Sequence, residues 1–424
     1  MTKYFTSKMS SSLIRLSETT VTQTEMTSSW TDYDVNQSTS SVPENCVILG
    51  MNTTIPWNNP HNLISLETEF LFDRIKSAIL IPVFFLIGFP ANCINMAVFV
   101  KQGLMERINL CLFSLALVDL VCLTGVFLFH AEKIYTQFTN GERIGPVYRY
   151  LVDNNVVGLY GFAYGPMLLS AIVSIERCIC VLFPLRAQSC VSSKAMGFLI
   201  ATSVSILVLA RFAITAMYQI TCFYEMRTQR VSWQLYVNDY YFRNKAMITA
   251  LNGVFYGFCL TVGCPVIVLI AASITAVRLT HTVRWRSQTS SSLSSKEIGV
   301  TKMLIALSIE FFVLSIPIIA LRVFPVFEPR LRAGGEFANF FKLLLGLAEF
   351  FTYMSSSVNF FVYYFTGTRF RETLRRLVSW NTPPKSMKNN KTGSVATDTS
   401  CLALRVDRLQ RSGTGEAIRK VPFA

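Results

Sequence analysis

Apolar residues along this chain come in long blocks rather than in alternation. Seven stretches with few charges run at about 77–100, 107–129, 151–175, 195–220, 246–279, 301–326 and 338–366. Each can cross ~30 Å of hydrocarbon as a helix, which takes about 20 residues. A bilayer holds no water to satisfy the backbone, so an isolated span has to be helical. The pattern therefore predicts an all-α membrane protein, a seven-transmembrane-helix bundle over 76–366. Beyond it, "GTRFRETLRRLVSW" (367–380) sets Phe370, Leu374 and Leu377 on one helical face and arginines on another. That is an amphipathic eighth helix, suited to lie on a membrane surface. Residues 1–75 and 381–424 are rich in polar residues, have no apolar period, and are expected to be disordered tails.

Composition agrees with this reading: 51% of residues are hydrophobic and only 15% charged, against about a quarter charged in soluble chains. Charge sets the expected orientation. Residues 1–75 carry four basic and eight acidic residues, whereas 367–424 carry twelve basic and four acidic. Between the fifth and sixth blocks lie Arg278, Arg284, Arg286, Lys296 and Lys302 with Glu297 alone. Basic segments stay on the cytoplasmic side, so the N-terminus is expected outside and the tail inside, at the plasma membrane. The net charge of +14 then reflects attraction to membrane lipids, with no nucleic acid implied. "SSLIRLSETT" is too polar for a signal-peptide core, so the first span is expected to direct insertion. The sequons at Asn36 and Asn52 fall on the expected outer side, where glycosylation is possible. Of eleven cysteines, only Cys46 and Cys222 fall in segments expected outside, where thiols tend to oxidise, and a bridge between them is one outcome.

Polar residues inside the blocks are costly and so informative. Asp119 sits mid-span in the second block, Asn92 in the first, and Ser355, Ser356, Asn359 and Tyr363 in the seventh. They serve either as interhelical hydrogen-bond glue or as one shared cluster joining helices one, two and seven. His61, His130 and His281 lie in three separate segments, and no metal-ligand or nucleophile constellation appears. The chain is therefore not expected to be an enzyme or to hold a cofactor or metal. A transporter or channel is the competing class, but no inverted repeat is visible.

The joint order of GFPAN in the first block, LALVD in the second, ERC followed by Pro184 and Leu185 after the third, and NFFVYY in the seventh resembles rhodopsin-like (class A) G-protein-coupled receptors over about 77–380. "KQGLMERINLCLFSLALVDL" is most similar to invertebrate FMRFamide-type neuropeptide receptors and invertebrate orphan chemosensory receptors. The resemblance implies a heterotrimeric G protein and an extracellular ligand, a peptide or a small polar molecule, as partners. Arrestin at the Ser/Thr-rich tail is a further implied partner. It also implies that Arg177, held by Glu176 and paired with Glu297, restrains the inactive state, and that Arg177 and Tyr363 meet the G protein. Phe311 and Pro317 then form the pivot of helix six. Asn92, Asp119, Ser356 and Asn359 form the activation cluster.

Several features depart from that family. No Cys lies near Val152, where the usual disulfide begins, so Cys222 lacks its usual partner. Pro166 stands where a Ser often helps hold sodium, and weak or no sodium binding is expected. Leu159 replaces the Asp that amine receptors need, and Tyr353 the Lys that opsins need, which excludes both ligand classes. Tyr160, Arg211, Arg322 and Glu349 fall at ligand-facing positions. An Arg and a Glu facing one cavity suit a zwitterionic or amidated peptide end or a polar metabolite. The alternative is that Arg322 and Glu349 pair with each other. Glu310, beside Phe311, has no account from sequence beyond a buried carboxyl.

Overall fold

The computed structural model describes residues 46–49, 59–139, 145–183, 192–225, 230–288, 295–332 and 335–378. Helix α1 runs Leu66–Gln102 and α2 Arg107–Thr139. The third rod, α3 (146–182), has three pieces: a helix Pro146–Asp153, a tight 3-10 stretch Val156–Tyr164 and a helix Gly165–Leu182. Helix α4 spans Ser193–Thr215. Helix α5 (245–288) opens with one turn, widens into a π-helix over Ala250–Gly263 and ends as Cys264–Gln288. Then follow α6 (Ser295–Phe327), α7 (Ala338–Thr366) and α8 (Thr368–Val378). The chain forms a seven-helix bundle with α8 packed across α1, α6 and α7.

The bundle is inside-out relative to a soluble protein. Leu86, Phe198 and Leu209 are about 70% exposed (71%, 72% and 68%), whereas Asn92, Asn95, Asp119, Ser356 and Ser357 are buried. Large apolar side chains facing outward would be a liability in water and are what lipid requires. Among the described residues, α1–α6 are long and apolar enough to span a membrane on composition alone. Helix α7 has the length, 29 residues, but carries Glu349, Thr352, Ser355 and Asn359. Its polar residues Ser356, Ser357 and Asn359 are turned inward, where α1, α2 and α6 enclose them.

Helix α1 starts at Leu66, about three turns before the apolar block. Ser65 caps it by accepting from the Thr68 amide (3.2 Å), and Glu67 and Glu69 stand in the first turn, where they suit the helix dipole. Helix α4 stops earlier than its block, at Thr215. The remaining apolar residues, Met217, Tyr218 and Ile220, belong to strand β2 (Tyr218–Glu225) or the turn before it, and β2 pairs antiparallel with β3 (Arg230–Val237). A third strand, β1 (Val47–Leu49), adds parallel to β2, and the Cys46–Cys222 disulfide fastens it there. The sheet lies at one end of the bundle, and α8 at the other.

Helices α3 and α4 cross closely because Gly158 and Gly161 have no side chains. A Cβ on Gly161 would stand 2.7 Å from the Val208 Cα, and that backbone atom cannot swing aside. At Gly125 a Cβ would meet nothing within 4 Å. The two glycines thus predict opposite signs. Gly161→Ala should destabilise the protein by about 1–3 kcal/mol through overpacking. Gly125→Ala should be neutral or stabilising by up to about 1 kcal/mol. Thermal unfolding of the purified variants in one detergent checks both.

Candidate functional site

Two groups of polar side chains occupy the bundle, one midway and towards the α8 end, the other at the sheet end. In the first, the Asn359 amide of α7 donates to Asp119 Oδ2 of α2 at 2.8 Å. Asn92 of α1 donates to the Ser356 carbonyl of α7 (2.8 Å) and accepts from Asn95 (3.3 Å). Asn92, Asp119, Ser356 and Asn359 are thus joined into a cluster across α1, α2 and α7. Asp119 is fully buried; its Oδ1 meets no donor at good geometry, although the Ser356 hydroxyl is close. Glu310 of α6 belongs beside this cluster. It accepts from Ser355 of α7 at 3.1 Å, and its other oxygen is buried without a partner. Pro166 is buried and adds no ligand oxygen, and the described residues hold no metal-binding group of acids, His and Cys.

Towards the α8 end, Glu176 is clamped from two sides. Arg177 donates to its Oε2 (2.5 Å), and Arg107 of α2 stands 3.9 Å from its Oε1. Cys180, one turn on, also donates to Oε1 (3.3 Å). Sequence reading missed Arg107, which merely opens the second apolar block. The side chain of Glu297, the expected second partner of Arg177, lies outside the described residues, as do Pro184 and Leu185, Asn36 and Asn52, and residues 381–424. The expected disordered tail over 1–75 is overturned where it is described, by strand β1 fastened through Cys46 and by the first turns of α1 from Leu66. The contact between α3 and α6 that the structure does describe is a hydroxyl pair, Ser174 to Ser308, 3.2 Å apart and buried. Tyr363 is buried against Phe99 of α1 and Phe370 of α8, with its hydroxyl unpartnered. Phe311 is buried in the core beneath Pro317, and Pro317 leaves a gap in the α6 hydrogen-bond ladder.

At the sheet end the four residues expected to face a ligand fall into two subsets. Glu349 does not pair with Arg322; its partner is Lys76 of α1, at 3.5 Å, and Asp73 stands 3.4 Å from the same ammonium. Lys76 is 93% shielded from solvent, its side chain only 7% exposed, so the charge needs those acids. Tyr160 and Tyr148 lie close enough to Glu349 to feel its charge, and Tyr160 stacks at a tilt on Phe129, 5.5 Å centre to centre. Lys76 looked like a mere boundary residue in the sequence.

The second subset holds the arginines. Arg211 of α4 donates to Asn252 Oδ1 (3.3 Å) and lies 5.9 Å and 5.7 Å from the ring centres of Tyr164 and Tyr256. Arg322 of α6 reaches the same turn of α5: its Nη1 is 3.9 Å from where a Gly257 Cβ would stand, and the Asn252 carbonyl is 3.1 Å from that point. The Nε of each arginine is buried with no hydrogen-bond partner. A buried unmet donor costs about 1–3 kcal/mol, and more on a charged group. Other acids towards this end are engaged elsewhere. Asp153 faces Arg149 (3.7 Å), and Glu132 accepts from the Val147 and Tyr148 amides. Glu328 accepts twice from Arg330, at 2.7 and 2.9 Å, and that fork holds its carboxyl down to about 2.

Over residues 79–381 the chain matches a family model described as serpentine type 7TM GPCR chemoreceptor Srw. No curated protein matches it.

The Asp119–Asn359 contact should show up as coupling. Asn359→Ala strips a buried carboxyl of its donor and should cost about 2–3 kcal/mol. Asp119→Asn alone should cost less, and the double variant should cost less than the sum by about 1–2 kcal/mol. Thermal unfolding of the three variants in detergent measures this, and additive losses would deny the link.

Proposed function

We propose that this chain, which belongs to the serpentine type 7TM GPCR chemoreceptor family Srw, converts binding of an external ligand into nucleotide exchange on a heterotrimeric G protein. The observation that carries this reading is Arg177, held at the α8 end of α3 by Glu176, with Glu176 itself clamped by Arg107. A guanidinium poised at the membrane rim on a releasable carboxylate can turn from an internal acid to a partner's backbone.

The basic tail and the basic segment between α5 and α6 support an inward-facing α8 end and an outward-facing sheet. In that orientation the disulfide-fastened sheet is a cover on the ligand side, and α8 lies along the inner leaflet. Two states differ in whether the inner ends of α3 and α6 touch. The closed state has the Ser174–Ser308 pair. In the open state α6 bends at Pro317 and its inner end moves away, uncovering Arg177 and Tyr363. A ligand favours the open state only by binding it more tightly. The chain is a receptor and not an enzyme.

Two ligand readings follow from the sequence motifs and the family. The motifs of the first two spans favour a peptide, as in FMRFamide-type receptors. The chemoreceptor family favours a small polar metabolite, and the two arginines at the covered end favour it too. We take the small polar ligand as the primary reading.

The clamp predicts a graded response. Arg107→Ala loosens Glu176 and should raise ligand-independent nucleotide exchange about two- to fivefold at equal surface expression, corresponding to about 0.4–1 kcal/mol of population shift. Arg177→Ala should abolish exchange with the protein still folded and at the cell surface. Exchange measured on membranes with added G protein decides. Exchange that persists in Arg177→Ala, or solute flux or ionic current without any G protein, would defeat the reading.

A further inference from the structure

The sheet end holds two arginine charges without a countercharge. Among the described residues no acid forms an ion pair with Arg211 or Arg322, and the Nε of each is buried and unmet. They come from different helices, α4 and α6, yet both reach the turn of α5 around 252–257. That turn lies in the π-helical stretch Ala250–Gly263, where the helix is wider than an α-helix. Tyr164 and Tyr256 flank Arg211, their rings 4.7 Å apart. Tyr218 is close enough to feel its charge. The acid that the sequence offered as a counterweight, Glu349, is paired with Lys76 of α1 instead.

Two guanidiniums and an amide around one turn make a fork for a planar or tetrahedral anion, since each offers several donors in a rigid plane. The rings of Tyr164 and Tyr256 beside Arg211 suit an aromatic or apolar body attached to that anion.

We infer that Arg211 and Arg322 form the anion-binding subsite of this receptor, and that its ligand is an organic anion with a carboxylate, sulfate or phosphate head and an apolar or aromatic body. This rests on the receptor reading above and names the ligand class at its outer site. It excludes an amidated peptide end, which brings no negative charge to the arginines. A free peptide C-terminus and a small organic acid share the required head, so the test includes both.

The experiment uses the full chain purified in detergent. Its thermal unfolding is followed with 4-phenylbutyrate and the neutral 4-phenylbutyramide, and with Gly-Gly-Phe and its C-terminal amide. Binding to the folded state raises the unfolding temperature with probe concentration. At least one acid should stabilise the protein while its matched amide does not. Arg322→Gln and Arg211→Gln should each weaken that effect by about tenfold or more in apparent affinity, with Arg322→Lys between. Arg149→Ala, on the surface, should leave it unchanged. A larger effect for 4-phenylbutyrate assigns a small acid as the source of the head, and one for Gly-Gly-Phe a free C-terminus. The inference is overturned if no acid stabilises, if the amides stabilise equally, or if neither Gln variant, with its unfolding temperature without probe retained, loses the effect. Acid binding with these losses but without any effect on G-protein nucleotide exchange would leave the subsite standing and refute the receptor reading instead.

Discussion

Every polar group buried among these helices has to find its partner within the protein, because the lipid offers none. That constraint explains the contact on which the bundle depends, the hydrogen bond from Asn359 to Asp119. It ties α7, which composition alone does not mark as a span, to α2, while Asn92 ties the same helix to α1. Ser355 reaches Glu310 and brings α6 into the same polar layer. Without these groups to receive it, α7 would be a poor spanning helix. With them, its polar face becomes the seam of the bundle.

The same constraint divides the charges. Lys76 takes up Asp73 and Glu349 at the sheet end, and Arg107 and Arg177 take up Glu176 at the α8 end. Among the described residues, the buried side-chain atoms without a hydrogen bond include an oxygen on each of Asn95, Asp119 and Glu310, the hydroxyl of Tyr363, and the Nε of Arg211, Arg322 and Arg332. Those are the groups with most to gain from a change of state or a bound partner. The unmet groups of Asp119, Glu310 and Tyr363 belong to the polar layer and the α8 end, and under the proposed function they are the groups a change of state would re-pair.

Much of this was legible in the sequence, where a signal was local. Long apolar blocks gave the helices, and Asp119, Asn92 and Asn359 stood out because each is polar in an apolar run. The helix ends were less legible. The charges of 66–76 hide the first turns of α1, since Glu69 and Lys76 are buried by neighbours that no local pattern reveals. Helix α4 looked longer than it is because strand β2 continues the apolar run with a period of two. The pairing Lys76–Glu349 spans 273 residues, and the convergence of Arg211 and Arg322 depends on a π-helix that leaves no mark in hydrophobicity. Chemistry of single residues was readable; which of them meet was set by packing between distant helices.

The account turns on separation of α3 from α6 at their inner ends, and a reversible cross-link tests it most directly. Ser174 and Ser308 have their hydroxyl oxygens 3.2 Å apart, so cysteines at both positions are placed to form a disulfide under mild oxidation. Peptide mapping would verify that Cys178 and Cys180 are not involved. The account predicts that the oxidised Ser174→Cys/Ser308→Cys receptor loses G-protein nucleotide exchange and regains it on reduction, with each single variant unaffected by oxidation. Exchange at the same rate with the cross-link in place would contradict it.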